Sequence, residues 1–343
     1  MTIPIVAFFN NKGGVGKTSL VYHLAWMYAD LGRRVLAADL DPQANLTAAF
    51  LDEDRLEELW TENEGALTVV DAISPLLRGV GDIVATPHCE PVSEQLFLLV
   101  GNLALAQFED ELSQQWPHCM DGSERAFRVI SAFWRLAQAA AAQIGAEVVL
   151  FDLGPNLGAI NRAALVASDY VVIPLAADLF SLQGLKNLGP SVRSWRRQWD
   201  DRKARNPDPT LDLPMGTIQP AGYVVLQDAI RLDRPVRAYE RWMARIPAVY
   251  AKEIVERPLR GDETIATDPN CVGQLKHYRS LMPMAQEARK PIFHLQAADG
   301  ALGAHAKAVA DARGNFAALA RAIAERSWQA KGRRGIDAAG KKR

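Results

Sequence analysis

Apolar residues along the chain gather into short runs that are hydrophobic on both faces, at 3–9, 34–40, 95–101, 147–153, 170–174 and 221–226. Runs of that length without strict alternation predict strands buried on both sides, and therefore a parallel sheet covered above and below. Between them the apolar positions recur at helical spacing over about 16–32, 123–144, 157–167 and 181–198. A strand, helix, strand order of this kind predicts right-handed crossover units. The expected architecture is α/β, a mostly parallel twisted sheet with helices on both faces, and ligands are expected at the carboxyl ends of the strands.

Composition adds size to this picture. At 343 residues and 49% hydrophobic, the chain can bury a large core. We read 1–330 as a single domain with insertions at about 196–220 and 256–300, followed by a basic, flexible tail at 331–343. The 196–220 stretch begins basic and becomes Pro-rich, which predicts a solvent-exposed insertion. The 256–300 stretch shows few clear strands, and its segment YRSLMPMAQEARKPIFHL predicts a short helix followed by an extended piece. The longest apolar stretches are strand-length, so no membrane span is expected, and the N-terminus runs straight into the first strand, leaving no room for a signal peptide. Cys89, Cys119 and Cys271 lack CxxC spacing, which suits a reducing cytoplasm. His88-Cys89 and His118-Cys119 lack zinc-ligand spacing, and His277, His294 and His305 stand beside no nucleophile or acid pair, so we read these as packing or surface residues.

Three motifs carry chemistry. Residues 12–19, KGGVGKTS, follow the first strand and open the first helix. In that setting Gly13, Gly14, Val15 and Gly16 turn the backbone so that its N–H groups face phosphate oxygens, at a helix N-terminus whose dipole favours an anion. Lys17 adds charge, Thr18 a magnesium ligand, and Ser19 completes the binding loop. ATP and Mg2+ are the cofactors expected. Next, Asp39 and Asp41 close the second strand on one side of it, with Pro42 ending the strand, so that both carboxylates are expected at the edge where phosphates lie. Finally, Val148-Val149-Leu150-Phe151-Asp152 is a buried strand ending in an aspartate, the arrangement that holds magnesium opposite Thr18.

The loop departs from the usual phosphate-binding pattern, having Asn11 where glycine is standard and a second lysine, Lys12, directly after it. With this deviant Walker A form the chain resembles the ParA/MinD family of P-loop ATPases. The resemblance implies a nucleotide-sandwich homodimer in the ATP-bound state, with Lys12 reaching the partner's phosphates, and it assigns Asp41, in the first switch DxDPQ, to orient the attacking water. Lys12, Lys17 and Asp41 are thus the implied catalytic residues. Gly154 and Pro155 would open the second switch, although DLGPNLG differs from the family's usual tandem prolines. The stretch NRAALVASDYVVIPLAADLFSLQGLKNL at 161–188 and FLLVGNLALAQFEDEL at 97–112 extend the likeness and favour the partition branch. It is solid over about 1–190 and weak over 195–220 and 250–300.

Charge is divided unevenly. Residues 1–190 carry 11 Lys and Arg against 23 Asp and Glu, whereas 191–343 carry 28 against 17. A basic half of this kind suggests either contact with a polyanion or an acidic and a basic surface that meet in a dimer. Arg193, Arg196, Arg197, Arg202, Lys203 and Arg205, with Trp195 and Trp199 interleaved, form the first cluster, and Lys331, Arg333, Arg334, Lys341, Lys342 and Arg343 the second. Leu182, Leu185, Leu188, Val192 and Trp195 make the apolar stripe of the 181–198 helix, placing Arg193, Arg196 and Arg197 outside it. The family resemblance implies non-specific DNA as a partner, with an adaptor protein that stimulates hydrolysis. The Ala-rich helix 316–328 looks like a final helix packed on the sheet, so a membrane partner is not expected. No cysteine follows Asp152 closely, as an iron-sulfur relative would require. Two functional readings remain open: a DNA-partition ATPase, and an ATP-switched regulator of a protein assembly.

Overall fold

The computed structural model describes residues 2–61, 67–226, 236–258, 263–278 and 280–329. Eight strands form one sheet: β1 (Ile5–Phe8), β2 (Val35–Asp39), β3 (Glu90–Pro91), β4 (Leu96–Leu99), β5 (Val148–Asp152), β6 (Tyr170–Leu175), β7 (Gln219–Leu226) and β8 (Cys271–Leu275). Their spatial order is β3-β4-β2-β5-β1-β6-β7-β8. Every pairing is parallel except β3 with β4. The helices are α1 (Lys17–Asp30), α2 (Asn45–Phe50), α3 (Glu53–Thr61), α4 (Val69–Leu77), α5 (Phe108–His118), α6 (Glu124–Ile130), α7 (Ala132–Ile144), α8 (Ala159–Ala167), α9 (Leu179–Lys203), α10 (Val236–Met243), α11 (Ile246–Tyr250), α12 (Leu281–Glu287) and α13 (Ala304–Arg326).

All residues of β1, β2, β5 and β6 are buried, which explains their unbroken apolar sequence. Side chains alternate between the two faces. On one face Ile5, Ala7, Leu36, Ala38, Val149 and Phe151 pack against α4 to α9, and on the other Val6, Phe8, Val35, Ala37, Val148 and Leu150 pack against α1 and α13. The predicted doubly covered sheet is present, and β1, with the phosphate loop at its end, lies between β5 and β6.

Four details differ from the sequence expectation. The stretch 256–300 contributes an edge strand, β8, which pairs with β7 from Tyr223↔Cys271 to Leu226↔Leu275. Its CVGQL sequence is buried at Val272 and Leu275 only, so it lacks the two-face apolar run that marks an inner strand. The helix expected there is α12, but the segment after it forms a 3-10 turn at Ile292–His294 rather than an extended piece. The helix expected over 123–144 is divided at buried Ser131, whose hydroxyl donates to the Phe127 carbonyl at 2.6 Å and accepts from Arg135 Nε at 3.0 Å. Most consequentially, α9 runs on to Lys203, so the 196–220 stretch opens as a packed helix and not as an exposed insertion.

Trp199 explains that extension. It is completely buried, donates from Nε1 to the Pro214 carbonyl at 2.9 Å, and stacks on Trp116 with ring centres 6.0 Å apart. The returning chain passes so close to the indole that a Cβ on Gly216, at φ 69°, would lie 2.1 Å from Trp199 Cδ1. Removing the ring leaves a cavity and an unpaired carbonyl. Trp199→Ala is expected to cost about 3–5 kcal/mol in urea unfolding, whereas exposed Arg197→Ala on the same helix stays within about 0.5 kcal/mol.

Candidate functional site

The phosphate loop takes its shape from two left-handed glycines. Gly14 has φ 70° and Gly16, the N-cap of α1, has φ 79°, conformations strained for any side chain. Asn10 fixes the loop at its start: Nδ2 donates to the Pro174 carbonyl at 2.7 Å, and Oδ1 accepts from Lys12 N–H at 3.0 Å. Gly184 on α9 makes room for this arrangement, since a Cβ there would meet Asn11 Oδ1 at 2.5 Å. The loop and the start of α1 line a cleft of about 680 Å³ together with Asp41, Gln43 and Pro155. Its lining includes Gly13, Gly14, Gly16, Lys17, Thr18, Ser19 and Asp41. Val15 is buried beneath the loop.

Three aspartates cluster at the ends of β2 and β5, and only Asp41 lines the cleft. Asp39 and Asp152 are paired across β2 and β5 and are both completely buried. Asp39 does not face the cleft as its strand position suggests. Its Oδ2 accepts from Thr47 N–H and Thr47 Oγ1, each at 2.8 Å, and so anchors α2. Burial pushes its carboxyl up to about 6 against the pull of those donors. Asp41 does line the cleft, with Oδ1 accepting from Gln43 N–H at 3.0 Å. Just after it, buried Ala44 is held at φ 52° to start α2, an uncommon conformation for alanine next to a reactive site.

Asp152 is the informative member. Burial, reinforced by Asp39 alongside, pushes its carboxyl well above the ordinary value against the pull of the Thr18 hydroxyl and Lys17. Neither of its oxygens has a hydrogen-bond partner of full geometry. Buried, under-satisfied carboxylate oxygens are costly unless a cation meets them. Among the described residues no group of three or more His, Cys, Asp or Glu side chains could hold a metal alone. Magnesium suits this situation, because it binds through one or two protein oxygens and completes its shell with phosphates and water. Thr18 and Asp152 are the residues that could hold it.

Two lysines complete the charge pattern. Lys17 is buried and lies within 3.5 Å of the Lys12 carbonyl. Burial lowers its pKa against the pull of Asp152 and Asp41. Lys12 extends away from its own phosphate loop and forms an ion pair with Asp178. Asp178 also caps α9, accepting from Ser181 N–H at 2.8 Å. Burial opposes ionisation of Asp178, yet the Lys12 ammonium and the Ser181 donor outweigh it and hold the carboxyl below its usual range.

Sequence reasoning passed over several participants. Asp178, three residues before Ser181, carried an N-cap signal that could have been read. Met282, Gln286, Arg289 and Lys290 line the far side of the cleft from α12 and its C-terminal end, without any motif to announce them. The first basic cluster is also altered. Trp199 and Arg202 are buried, and Arg202 donates from Nε to the Trp116 carbonyl at 2.9 Å. Arg193 donates to the Glu253 carbonyl at 2.6 Å, Lys203 to the Met215 carbonyl at 2.6 Å and Arg205 to the Met120 carbonyl at 3.2 Å. Arg196 is partly exposed, and Arg197, like Arg205, is exposed. The second cluster, in the tail, lies outside the described residues.

Comparison with known proteins agrees with this geometry. Residues 3–203 match the sequence profile of the AAA domain. The chain is 31% identical over 198 residues to Protein IncC of Escherichia coli, covering 57% of this chain and 48% of that protein. It is 31% identical over 190 residues to the sporulation initiation inhibitor protein Soj of Bacillus subtilis, covering 55% and 64%. The chain thus spans about half to two thirds of the length of these curated relatives. Among solved structures, protein DIP2308 of Corynebacterium diphtheriae superposes with a TM-score of 0.69 at 25% identity, covering 94% of this chain and 98% of that one. The phosphate loop with its second lysine, the sheet order and the AAA-domain match agree: the chain belongs to the ParA-type P-loop ATPases.

Proposed function

We propose that the chain is an ATP-hydrolysing switch of the ParA type that dimerises on ATP, binds DNA non-specifically and is reset when an adaptor protein stimulates hydrolysis, in the service of DNA partition. The observation that carries the ATP reading is the buried, under-satisfied Asp152 carboxylate beside Thr18 and Lys17 of the phosphate loop. The loop N–H groups and Lys17 would hold the phosphates, and magnesium on Thr18 and Asp152 would neutralise charge on their oxygens. Asp41, buried in the cleft wall and oriented by the Gln43 N–H, would take the water into line. Lys12 would leave Asp178 and serve the partner's site. Lys12 is partly exposed but Asp178 is buried, so the exchange leaves a buried carboxylate with only its Ser181 donor, a cost that the partner's phosphates would have to offset. No helix of the described residues is long and apolar enough to cross a membrane. A DNA-partition role would place the protein in the cytoplasm, associated with the nucleoid.

A second reading, an ATP-switched regulator of a protein assembly without a DNA role, is favoured by one observation. Four of the six basic side chains between Arg193 and Arg205 donate to backbone carbonyls within the fold, leaving fewer of them free than the sequence suggests. The two readings separate on binding to random-sequence duplex DNA. Partition predicts ATP-dependent binding that weakens steeply with salt, and Arg196→Ala with Arg197→Ala should weaken it further while ATP hydrolysis persists. Salt-insensitive or absent binding supports the regulator.

The nucleotide site has its own test. Lys17→Ala is expected to abolish ATP binding, because it removes the charge on ground-state phosphates, whereas Asp41→Ala retains binding and stops turnover. Calorimetry and phosphate release report the two, and normal ATP binding by the Lys17 variant would sink the assignment.

Lys12 demands a mixed-subunit experiment. Lys12→Ala alone should keep monomer ATP binding within about tenfold and lose ATP-dependent dimers and hydrolysis together. Mixing it with Asp41→Ala subunits creates dimers in which one site has an intact Asp41 faced by an intact Lys12 from the other subunit. Some hydrolysis should return. Mixed dimers seen by chromatography without any return of phosphate release would place Lys12 in its own subunit's site.

A further inference from the structure

The loop 154–158, which follows β5, lies between two parts of the site. Pro155 rests on the phosphate loop, its Cγ 3.9 Å from where a Cβ on Gly13 would stand. Gly154 faces the first switch, since a Cβ on it would stand 3.3 Å from Asp41 Oδ1. At its far end the loop is tied to α8. Asn161 Nδ2 donates to the Gly154 carbonyl at 2.9 Å and to the Asn156 carbonyl at 2.7 Å. Any shift of α8 is therefore passed to the backbone that touches Asp41.

What holds α8 comes from another helix. Its N-cap residue is Gly158, which has no side chain to satisfy the first N–H groups. Glu109, near the start of α5, does so instead: Oε1 accepts from Ala159 N–H and Oε2 from Ile160 N–H, the latter at 2.8 Å. A two-oxygen, charge-assisted cap of this sort fixes position as well as energy. It also explains Gly158. A Cβ there would stand 2.5 Å from Glu109 Oε1 and 2.8 Å from Asn156 Oδ1, although its φ of -76° is open to any residue.

We propose that Glu109 is a positioning residue for hydrolysis: by capping α8 it holds Asn161, and through it the Gly154 backbone, in register with Asp41 and the phosphate loop. The inference rests on the ATPase reading above. Glu109 is not among the residues that line the nucleotide cleft, so its effect falls on the geometry of the water-facing side and not on the grip on phosphates.

The experiment compares wild type, Glu109→Ala, Glu109→Gln and Gly158→Ala for ATP dissociation constant, KM, kcat and thermal midpoint, with Mg2+ and ATP as the probe. Glu109→Ala should lower kcat by about tenfold or more while KM and ATP affinity stay within about threefold. Glu109→Gln keeps one acceptor oxygen and should recover to within about threefold of wild type. Gly158→Ala leaves the carboxylate in the chain but displaces it, and should match Glu109→Ala. An unchanged kcat in the folded Glu109→Ala protein would overturn the proposal, as would parallel losses of ATP affinity, kcat and thermal midpoint, the pattern of a purely structural cap. A wild-type chain that binds ATP and hydrolyses none would overturn the ATPase reading itself and this inference with it.

Discussion

The site is organised around a buried excess of negative charge. Asp39 and Asp152 face each other across the central strands, fully removed from water, and Asp41 follows within two residues. Burial disfavours their ionisation, and the neighbouring carboxylates add to it, so both Asp39 and Asp152 are pushed above their usual range. The chain answers the problem unequally. It gives Asp39 hydrogen bonds from Thr47, gives Asp41 the Gln43 N–H, and leaves Asp152 without full partners beside Lys17 and Thr18. The uncompensated charge is thus concentrated on the Asp152 oxygens, beside Thr18 and Lys17 of the phosphate loop. Strand order, the glycine loop and the first-switch helix all serve to hold that imbalance in place.

The part of this that was legible in the sequence is the part governed by local rules. KGGVGKTS between an apolar run and a helical pattern can fold in few ways, and aspartates ending apolar runs mark strand ends directly. Asp39 shows the limit: alternation placed it correctly on the strand, yet its partner, Thr47, lies on a helix whose packing no periodicity reveals. The cleft's far wall was equally hidden. Met282, Gln286, Arg289 and Lys290 arrive there because β8 adds to β7 and returns the chain over α1. An edge strand with one buried face and a glycine has too weak a pattern to announce itself.

Helix α9 shows how one sequence can be read two ways. Arginines interleaved with tryptophans suggest a polyanion surface, and the same residues make a compact join between helices. Trp116 on α5 carries the guanidiniums of Arg162 from α8 and Arg202 from α9 over its ring, each 4.4 Å from the ring centre. Stacking of this kind gives arginine a low-hydration environment that lysine does not fill as well. The charge remains, but its work is to lock α5, α8 and α9 together, so that the helix reaching Glu109 and the helix capped by Asp178 meet at one aromatic plate.

The distance in sequence between the phosphate loop and α12 bears on how the protein is made. A ribosome releases about 5–20 residues each second, so many seconds separate the emergence of Gly13–Ser19 from that of Met282–Lys290. During that interval β1 must also wait for β5 and β6, its two neighbours in the finished sheet. The nascent chain holds the floor of its cleft long before Met282, Gln286, Arg289 and Lys290 supply the far wall. Synthesis order thus makes the far wall of the cleft the last part of the site to be built.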